Sequence, residues 1–180
     1  EYWSLEQAKI KKKKKLLEGN VVVITGSTGT IGFETYKMFK SYGAEVVLLD
    51  YNLERLKEVQ SKIKDLCIHC DVTKKRSVES AFKKICEKFG GIDILISNAG
   101  TAPGGIIGEV SDDVLRKSFE INFYSHQKIT QQVIEIMKIQ DFGGNISFNL
   151  SKQSINPGNN FGPYGLPKSS TLFLMKQYAL

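Results

Sequence analysis

The stretch Val21–Phe39, VVVITGSTGTIGFETYKMF, decides the fold of this 180-residue chain. An apolar, β-branched run leads into three evenly spaced glycines and then into an amphipathic run with a helical period. Glycines at a strand-to-helix junction let backbone N–H groups and the helix N-terminus approach a phosphate group. The stretch therefore predicts a strand, a phosphate-binding turn and a helix. The candidate phosphate contacts are Gly26, Ser27, Thr28, Gly29, Thr30, Ile31 and Gly32.

Asp50 closes the second apolar run, eighteen residues after Gly32. A carboxylate at this place accepts hydrogen bonds from the ribose hydroxyls of an adenosine and repels a 2′-phosphate. The glycine turn itself contains no lysine or arginine, so we expect NAD as the cofactor, with NADP less favoured. Arg55 and Lys57, a turn further on, are the residues that favour NADP, because their positive charges could attract a 2′-phosphate. In the alternative, the glycines make only a tight turn and Asp50 caps the next helix.

The rest of the chain alternates apolar runs with amphipathic ones. We predict strands at 20–25, 45–50, 66–70, 93–97 and 145–150, and helices at 30–42, 53–64, 76–89, 111–138 and 163–180, the fourth helix being a candidate for a break. This order predicts an α/β fold with a doubly wound, Rossmann-type parallel sheet. Dinucleotide folds of this kind have six strands. The chain therefore looks truncated after the helix that follows the fifth strand.

A serine, a tyrosine and a lysine are spaced in a way that suggests catalysis. Tyr164 follows Ser151 by thirteen residues, and Lys168 follows Tyr164 by four, which places the last two on one helix face. A free tyrosine has a pKa near ~10 and is a poor base at neutral pH, but a neighbouring ammonium favours the phenolate. Pro167 is tolerated only near a helix start, so we expect Tyr164 in or just before the first turn.

Six short motifs together resemble the short-chain dehydrogenase/reductase family from about Asn20 onward. They are TGSTGTIG at 25–32, CDV at 70–72, SNAG at 97–100, Asn122 in INFYS, Ser151, and YGLPK at 164–168. The resemblance implies that Tyr164 is the acid/base, that Lys168 supports it and binds the nicotinamide ribose, that Ser151 holds the substrate oxygen, and that Asn122 supports a proton-relaying water. It also implies that Asp71 meets the adenine amino group, that Val72 lines the adenine pocket, and that Asn98, Ala99 and Gly100 border the cofactor.

The glycine turn departs from the usual pattern of that family. Its spacing is TGxxGxxG, which resembles the branch that modifies nucleotide sugars, and Thr30 stands where the common TGxxxGxG pattern has its middle glycine. The SNAG motif and the serine thirteen residues before the tyrosine favour the compact dehydrogenase branch. A narrower resemblance, in EYWSLEQAK and in residues 151–168, is to proteins that join a class II aldolase to a short-chain dehydrogenase. It implies a connector at 1–19 and a dehydrogenase domain at 20–180.

Composition limits the remaining classes of function. Five of the six excess positive charges lie in Lys11–Lys15, so we expect a solvated terminal segment and no nucleic-acid partner. No apolar run reaches the ~20 residues of a membrane helix and no signal-peptide pattern opens the chain, so we expect a cytoplasmic protein without a membrane partner. Three cysteines argue against a disulfide framework. Cys67 and Cys70 form a single CxxC, and His69 and His126 are isolated, so we expect no metal site.

These observations predict an NAD-dependent oxidoreductase. We expect it to interconvert a small alcohol or hydroxyaldehyde and its carbonyl product by hydride transfer, and to form a homo-oligomer through the helices at 111–138 and 163–180. One alternative is a dinucleotide-binding module without catalysis, favoured by the missing strands. A lesser alternative is a nucleotide-sugar epimerase or dehydratase, favoured only by the glycine spacing.

Overall fold

The computed structural model describes residues 15–180. Its five strands are β1 (Val21–Thr25), β2 (Glu45–Asp50), β3 (Leu66–His69), β4 (Ile94–Ser97) and β5 (Asn145–Phe148). All neighbouring strands run parallel, in the order β3-β2-β1-β4-β5. The order reverses between β1 and β4, and a crevice opens at the carboxyl ends of strands at such a switch point. The doubly wound parallel sheet predicted from the sequence is confirmed.

Helices cover both faces of the sheet. They are α1 (Thr30–Ser41), α2 (Leu53–Gln60), α3 (Lys75–Phe89), α4 (Asp112–Phe119), α5 (Ser125–Gln140) and α6 (Gly162–Tyr178). A π-helical turn, Glu120–Tyr124, joins α4 to α5, and a 3₁₀ turn, Lys152–Ser154, follows β5. The predicted break in the fourth helix is therefore present, as a π-helical turn inside a continuous helical segment.

Alternate residues of the central strand point into two separate cores, as a period of two requires. Val21 and Val23 pack with residues of α3 and α5, such as Phe82 and Val133. Val22 and Ile24 pack on the other face, in a cluster that includes residues of α1 and α2. All five residues of β1 are buried, because the strand has neighbours at both edges and helices on both faces.

Element ends differ from the predictions by at most four residues, and β2 agrees at both ends. The largest difference is in α2, which ends at Gln60 where the sequence pattern continued to 64. β5 ends at Phe148, because Asn149 and Leu150 already belong to the connection that carries Ser151. Most of the predicted connector at 1–19 lies outside the described residues, as do Lys11–Lys14; Leu17 is partly buried against the second core.

The described residues include no helix long and apolar enough to cross a membrane. Burial raises the pKa of the Cys67 thiol and of the Cys70 thiol to about 11, so both are protonated at neutral pH. All three cysteines are unpaired in this part of the chain.

Candidate functional site at the switch point

The glycine turn lies at the carboxyl end of β1, folded tightly against the end of β4. Gly26 has a φ of +61°, and a Cβ built on it would lie 2.9 Å from the Cα atom of Ala99. A Cβ on Gly32 would overlap the Gly26 carbonyl oxygen and lie 2.8 Å from the Cα atom of Ser27. These two positions therefore require glycine for the fold itself.

Gly29 differs from the other two glycines because a side chain has room there. It is the N-cap of α1, with a φ of −74°, and a Cβ would only reach ordinary contact with the Gly26 carbonyl oxygen at 3.5 Å. Within the described residues, no side chain caps α1 and its first turn holds no acidic residue. The first N–H groups of α1, beginning at Thr30, can therefore bind an anion. Ile31 lies beside them with its side chain 62% exposed.

Asp50 connects the glycine turn to the end of β2. One carboxylate oxygen accepts hydrogen bonds from the Thr28 backbone N–H at 2.9 Å and the Thr28 hydroxyl at 2.8 Å, and the other accepts the Asn52 N–H at 3.0 Å. Asn52, and not Asp50, caps α2, by accepting a hydrogen bond from the Arg55 N–H. The helix-capping alternative for Asp50 is therefore wrong. The carboxylate keeps further lone pairs for a ligand.

Asn98 ties β4 to the glycine turn. Its side-chain amide donates to the carbonyl oxygens of Thr25 at 2.9 Å and Gly26 at 3.1 Å, and its backbone N–H donates to the Thr25 hydroxyl at 2.9 Å. The side-chain amide of Asn149, just after β5, donates in turn to the Asn98 side-chain oxygen at 2.7 Å. The ends of β1, β4 and β5 are thus held by one hydrogen-bond network.

Asp71 and Val72 follow β3, two strands away from β1. One Asp71 carboxylate oxygen accepts hydrogen bonds from the Thr73 backbone N–H at 2.9 Å and the Thr73 hydroxyl at 2.7 Å. Val72 is 92% buried and belongs to the first core. The predicted cofactor contacts are therefore spread along the carboxyl edge of the sheet, as a dinucleotide of extended shape requires.

Lys168 enters the switch point from α6. Its side chain is buried, and its Nζ atom donates to the Asn149 carbonyl oxygen at 2.9 Å and lies 6.0 Å from the centre of the Tyr164 ring. A Cβ built on Gly100 would lie 3.4 Å from this Nζ atom. Burial lowers the pKa of Lys168 to about 8. The ammonium thus lies between the ends of β4 and β5, beside the phenol ring.

Tyr164 is the third residue of α6 and so lies in its first turn, as predicted. Two buried prolines flank it. Pro163 is at the second helical position, where its missing N–H costs nothing, whereas Pro167 lies further in and leaves one carbonyl without its helical donor. The Thr171 hydroxyl oxygen lies 2.8 Å from the Pro167 carbonyl oxygen and 2.6 Å from that of Asn122, and its single hydrogen is shared between the two acceptors.

Ser151 begins the 3₁₀ turn after β5. Its hydroxyl oxygen accepts the Gln153 N–H at 3.2 Å, and the Ser154 hydroxyl donates back to the Ser151 carbonyl. Ser151 therefore caps this turn. It uses an acceptor lone pair only, so the hydroxyl hydrogen can still be donated to a ligand.

Asn122 occupies the π-helical turn and is fully buried. Its amide nitrogen donates to the Thr101 carbonyl at 2.9 Å and the Ser118 hydroxyl at 3.0 Å, and its amide oxygen accepts the Thr101 N–H at 3.2 Å. The Thr171 hydroxyl donates to the Asn122 backbone carbonyl at 2.6 Å. Asn122 thereby fixes the chain just after Gly100 and connects it to α6.

Sequence reasoning missed two polar residues of this site. Asn149 was placed inside a strand, although an asparagine among apolar strand residues is unusual. His126 was treated only as an isolated histidine that does not indicate a metal site, whereas the structure places its ring against Lys168. Its position four residues after Asn122 was the available signal, because that spacing puts both residues on the same helix face.

A family model described as short chain dehydrogenase matches residues 20–180. The chain is 30% identical over 178 residues to an uncharacterized oxidoreductase, YuxG, of Bacillus subtilis strain 168; the match covers 94% of this chain and 26% of that protein. It is 32% identical over 166 residues to short-chain dehydrogenase reductase 3b of Arabidopsis thaliana, covering 90% of this chain and 65% of that protein. The chain thus spans a quarter to two thirds of these relatives.

Solved structures share the fold. A xylitol dehydrogenase with bound NAD⁺ superposes with a TM-score of 0.86 at 26% identity, covering 92% of this chain and 65% of that one. A 3-ketoacyl-(acyl-carrier-protein) reductase from Brucella melitensis, in complex with NADH, superposes with a TM-score of 0.85 at 26% identity, covering 90% of this chain and 69% of that one.

Proposed function

The chain belongs to the short-chain dehydrogenase family, and on that premise we propose that it is the NAD-binding part of an oxidoreductase. The reaction is the interconversion of a small alcohol or hydroxyaldehyde and its carbonyl product by hydride transfer. The observation that carries this proposal is the position of the Lys168 ammonium, held beside the Tyr164 ring at the ends of β4 and β5.

NAD is the proposed cofactor. The uncapped N-terminus of α1 suits the pyrophosphate, and the glycines at 26 and 32 keep the turn free of side chains. The Asp50 carboxylate, already accepting two bonds from Thr28, suits the ribose hydroxyls and would repel a 2′-phosphate. Asp71, Val72, Asn98, Ala99 and Gly100 complete the proposed contacts along the carboxyl edge. Two structures of similar fold carry NAD⁺ or NADH, which supports the same choice.

The bound nicotinamide would supply the acceptor for the hydride. In alcohol oxidation, the Tyr164 phenolate takes the hydroxyl proton, and the Lys168 ammonium stabilises that phenolate electrostatically. The Ser151 hydroxyl donates to the substrate oxygen, which fixes the reacting carbon. Asn122 positions the backbone after Gly100 and so shapes the path for a proton-relaying water beside Lys168.

The proposed domain covers residues 20–180, with 1–19 as a connector to an aldolase half. The supporting observation is the length of the Bacillus relative, of which this chain covers 26%. An antibody against this chain would detect a native polypeptide of almost four times its mass, as that share implies. Detection of a native polypeptide no longer than an ordinary short-chain dehydrogenase would contradict the fusion.

A homo-oligomer is proposed through α4, α5 and α6. On α6, Phe173 is 64% exposed and Leu166 is 45% exposed. Exposed apolar surface of this kind is typical of a protein–protein contact. Light scattering after size exclusion would give a mass of two or four chains. A monomeric mass at high protein concentration would contradict this association.

The test of the proposed function separates cofactor binding from turnover. Fluorescence titration with NADH, with NADPH in parallel, should give micromolar NADH binding by the wild-type chain and much weaker NADPH binding. The Tyr164→Phe variant should bind NADH as tightly, while its turnover of small alcohols and hydroxyaldehydes falls roughly 10²–10⁴-fold, because only the acid/base is removed. Tyr178→Phe, on the same helix, is the matched control and should change neither quantity.

The outcomes distinguish the candidate functions. NADH binding without turnover, measured on the chain and on any longer native form, would favour the module without catalysis. Turnover that survives in Tyr164→Phe would remove the acid/base assignment. Failure of the wild-type chain to bind NADH would overturn the proposed cofactor site.

A further inference from the structure

His126 is a buried titratable residue that the proposed mechanism does not use. It lies in the first turn of α5 with 1% of its surface exposed. Its Nδ1 atom is 2.6 Å from the Ser97 hydroxyl oxygen, and its Nε2 atom is 3.5 Å from the Lys168 Nζ atom. The Phe148 ring of β5 covers it, with 6.0 Å between ring centres. The imidazole therefore lies between the end of β4 and α6.

The surroundings of His126 determine its protonation. Burial, and after it the charge of Lys168, lower its pKa to about 3, so the ring is neutral across the working range. An ammonium has donors only, so Nε2 must offer its lone pair to Lys168. The ring proton is then on Nδ1 and is donated to the Ser97 hydroxyl oxygen. Lys168 thereby selects this tautomer, and the Ser97 hydroxyl, which can donate or accept, is the acceptor that anchors the Nδ1–H group.

The arrangement also orients Lys168. An ammonium has three N–H donors. One is donated to the Asn149 carbonyl oxygen at 2.9 Å, and a second is directed to His126 Nε2, at the outer limit of hydrogen-bond length. Because two N–H groups are directed into the protein, the third N–H group is free to point towards Gly100 and Tyr164. The proposed cofactor and substrate bind on that side.

We propose that His126 is a positioning residue for Lys168: its neutral imidazole, anchored on the Ser97 hydroxyl, accepts a hydrogen bond from the Lys168 ammonium and keeps the third N–H directed into the site. The importance of that ammonium for catalysis rests on the proposed function. The groups facing His126 are the Ser97 hydroxyl from β4, the Phe148 ring from β5 and Lys168 from α6; Tyr164 is the other titratable group beside Lys168.

The test measures the titration of Lys168 itself, by NMR of ¹³Cε-labelled lysine in the whole chain, with the resonance assigned from Lys168→Arg. His126→Leu removes the acceptor and should lower the pH at which Lys168 titrates by about one unit. His126→Gln can place a side-chain oxygen near the position of Nε2 and should restore the wild-type titration. Val133→Ala, a buried truncation on the same helix, should leave it unchanged.

Wild-type titration in His126→Leu, or an equal shift in the leucine and glutamine variants, would overturn the positioning role. If the leucine variant does not fold, Ser97→Ala decides the question. It should lower the Lys168 titration by about half a unit, because the ring loses its anchor, and an unchanged titration would overturn the proposal. The measurement needs neither cofactor nor substrate. Its failure is therefore distinguishable from a failure of the proposed function, which would appear as absent NADH binding or turnover.

Where turnover is measurable, the pH profile gives a second readout. The basic limb of kcat/KM should move to lower pH in His126→Leu by the same amount as the Lys168 titration, and should stay in place in His126→Gln. A loss of rate in His126→Leu without a shifted limb would indicate a merely structural role.

Discussion

The two sides of the switch point are built differently. On the β1 side, every strand residue is buried and the glycine turn is connected to β2 by Asp50 and to β4 by Asn98. On the β5 side, the strand pairs only with β4 within residues 15–180, and its residues alternate between exposed and half-buried. The segment that follows β5 is joined to β4 and α6 at Asn149 and then turns through the capping bonds of Ser151 and Ser154.

This difference separates the two tasks of the proposed site. Dinucleotide binding relies on the β1 side, where neighbouring strands fix each backbone group. The proposed substrate contact, Ser151, lies on the β5 side, where the strand residues are exposed or half-buried. We therefore expect the described residues to support cofactor recognition more completely than substrate recognition.

The largest predicted effect tests this difference inside the sheet. Leu95 of β4 and Ile146 of β5 are register partners, but Leu95 is fully buried and Ile146 only half-buried. Leu95→Ala should lower the free energy of unfolding by about 3 kcal/mol, and Ile146→Ala by about 1 kcal/mol, because the residual cavity is smaller at a half-open site. Urea denaturation measures both. Equal costs would mean that β5 is covered in solution, for example by a second copy of the chain.

A second prediction concerns the pH dependence of stability. The pKa of His126 is about 3 in the folded chain and about 6.5 when unfolded, so the neutral ring contributes stability above pH 6.5 that is lost as the pH falls towards 3. Between about pH 7 and about pH 4.5 the wild-type chain should lose about 2.5 kcal/mol more than His126→Gln. Urea midpoints at the two pH values test this. Identical losses in wild type and His126→Gln would contradict the prediction.

The sequence predicted the β1 side better than the β5 side, for a physical reason. Strand, glycine turn and helix follow one another along the chain, so local periodicity and glycine spacing predict that turn, although its contacts with Asp50 and Asn98 come from other strands. The positions of Asn149 and His126 depend on contacts between residues far apart, such as His126 with Lys168 and Asn149 with Asn98. The four-residue spacing indicates that Asn122 and His126 share a helix face, but it does not indicate which distant residues they contact.

Tyr164 is an intermediate case. The proline rule placed it correctly in the first turn of α6, because the backbone cost of Pro167 is local. The resemblance to a family suggested the role of Tyr164. The distance between its ring and the Lys168 Nζ atom became known only from the structure. The roles of Ser151 and Asn122 stay predictions, since each also makes bonds that serve the backbone alone.

The smallest predicted effect comes from two substitutions in the glycine turn, which distinguish a loss of stability from a loss of cofactor binding. Gly32→Ala would place a methyl group against the Gly26 carbonyl and should lower the free energy of unfolding by about 2 kcal/mol. Gly29→Ala has room and an ordinary φ, so its cost should stay below about 1 kcal/mol.

Gly29→Ala should nevertheless weaken NADH binding roughly tenfold, which corresponds to about 1.4 kcal/mol, because the methyl group would lie beside the N-terminus of α1 where the pyrophosphate is expected. Thermal unfolding and NADH titration on the same samples give both quantities. Wild-type affinity in a stable Gly29→Ala chain would place the phosphates away from the start of α1. The well-connected β1 side would then serve the fold more than the ligand, and the contrast with the β5 side would no longer concern function.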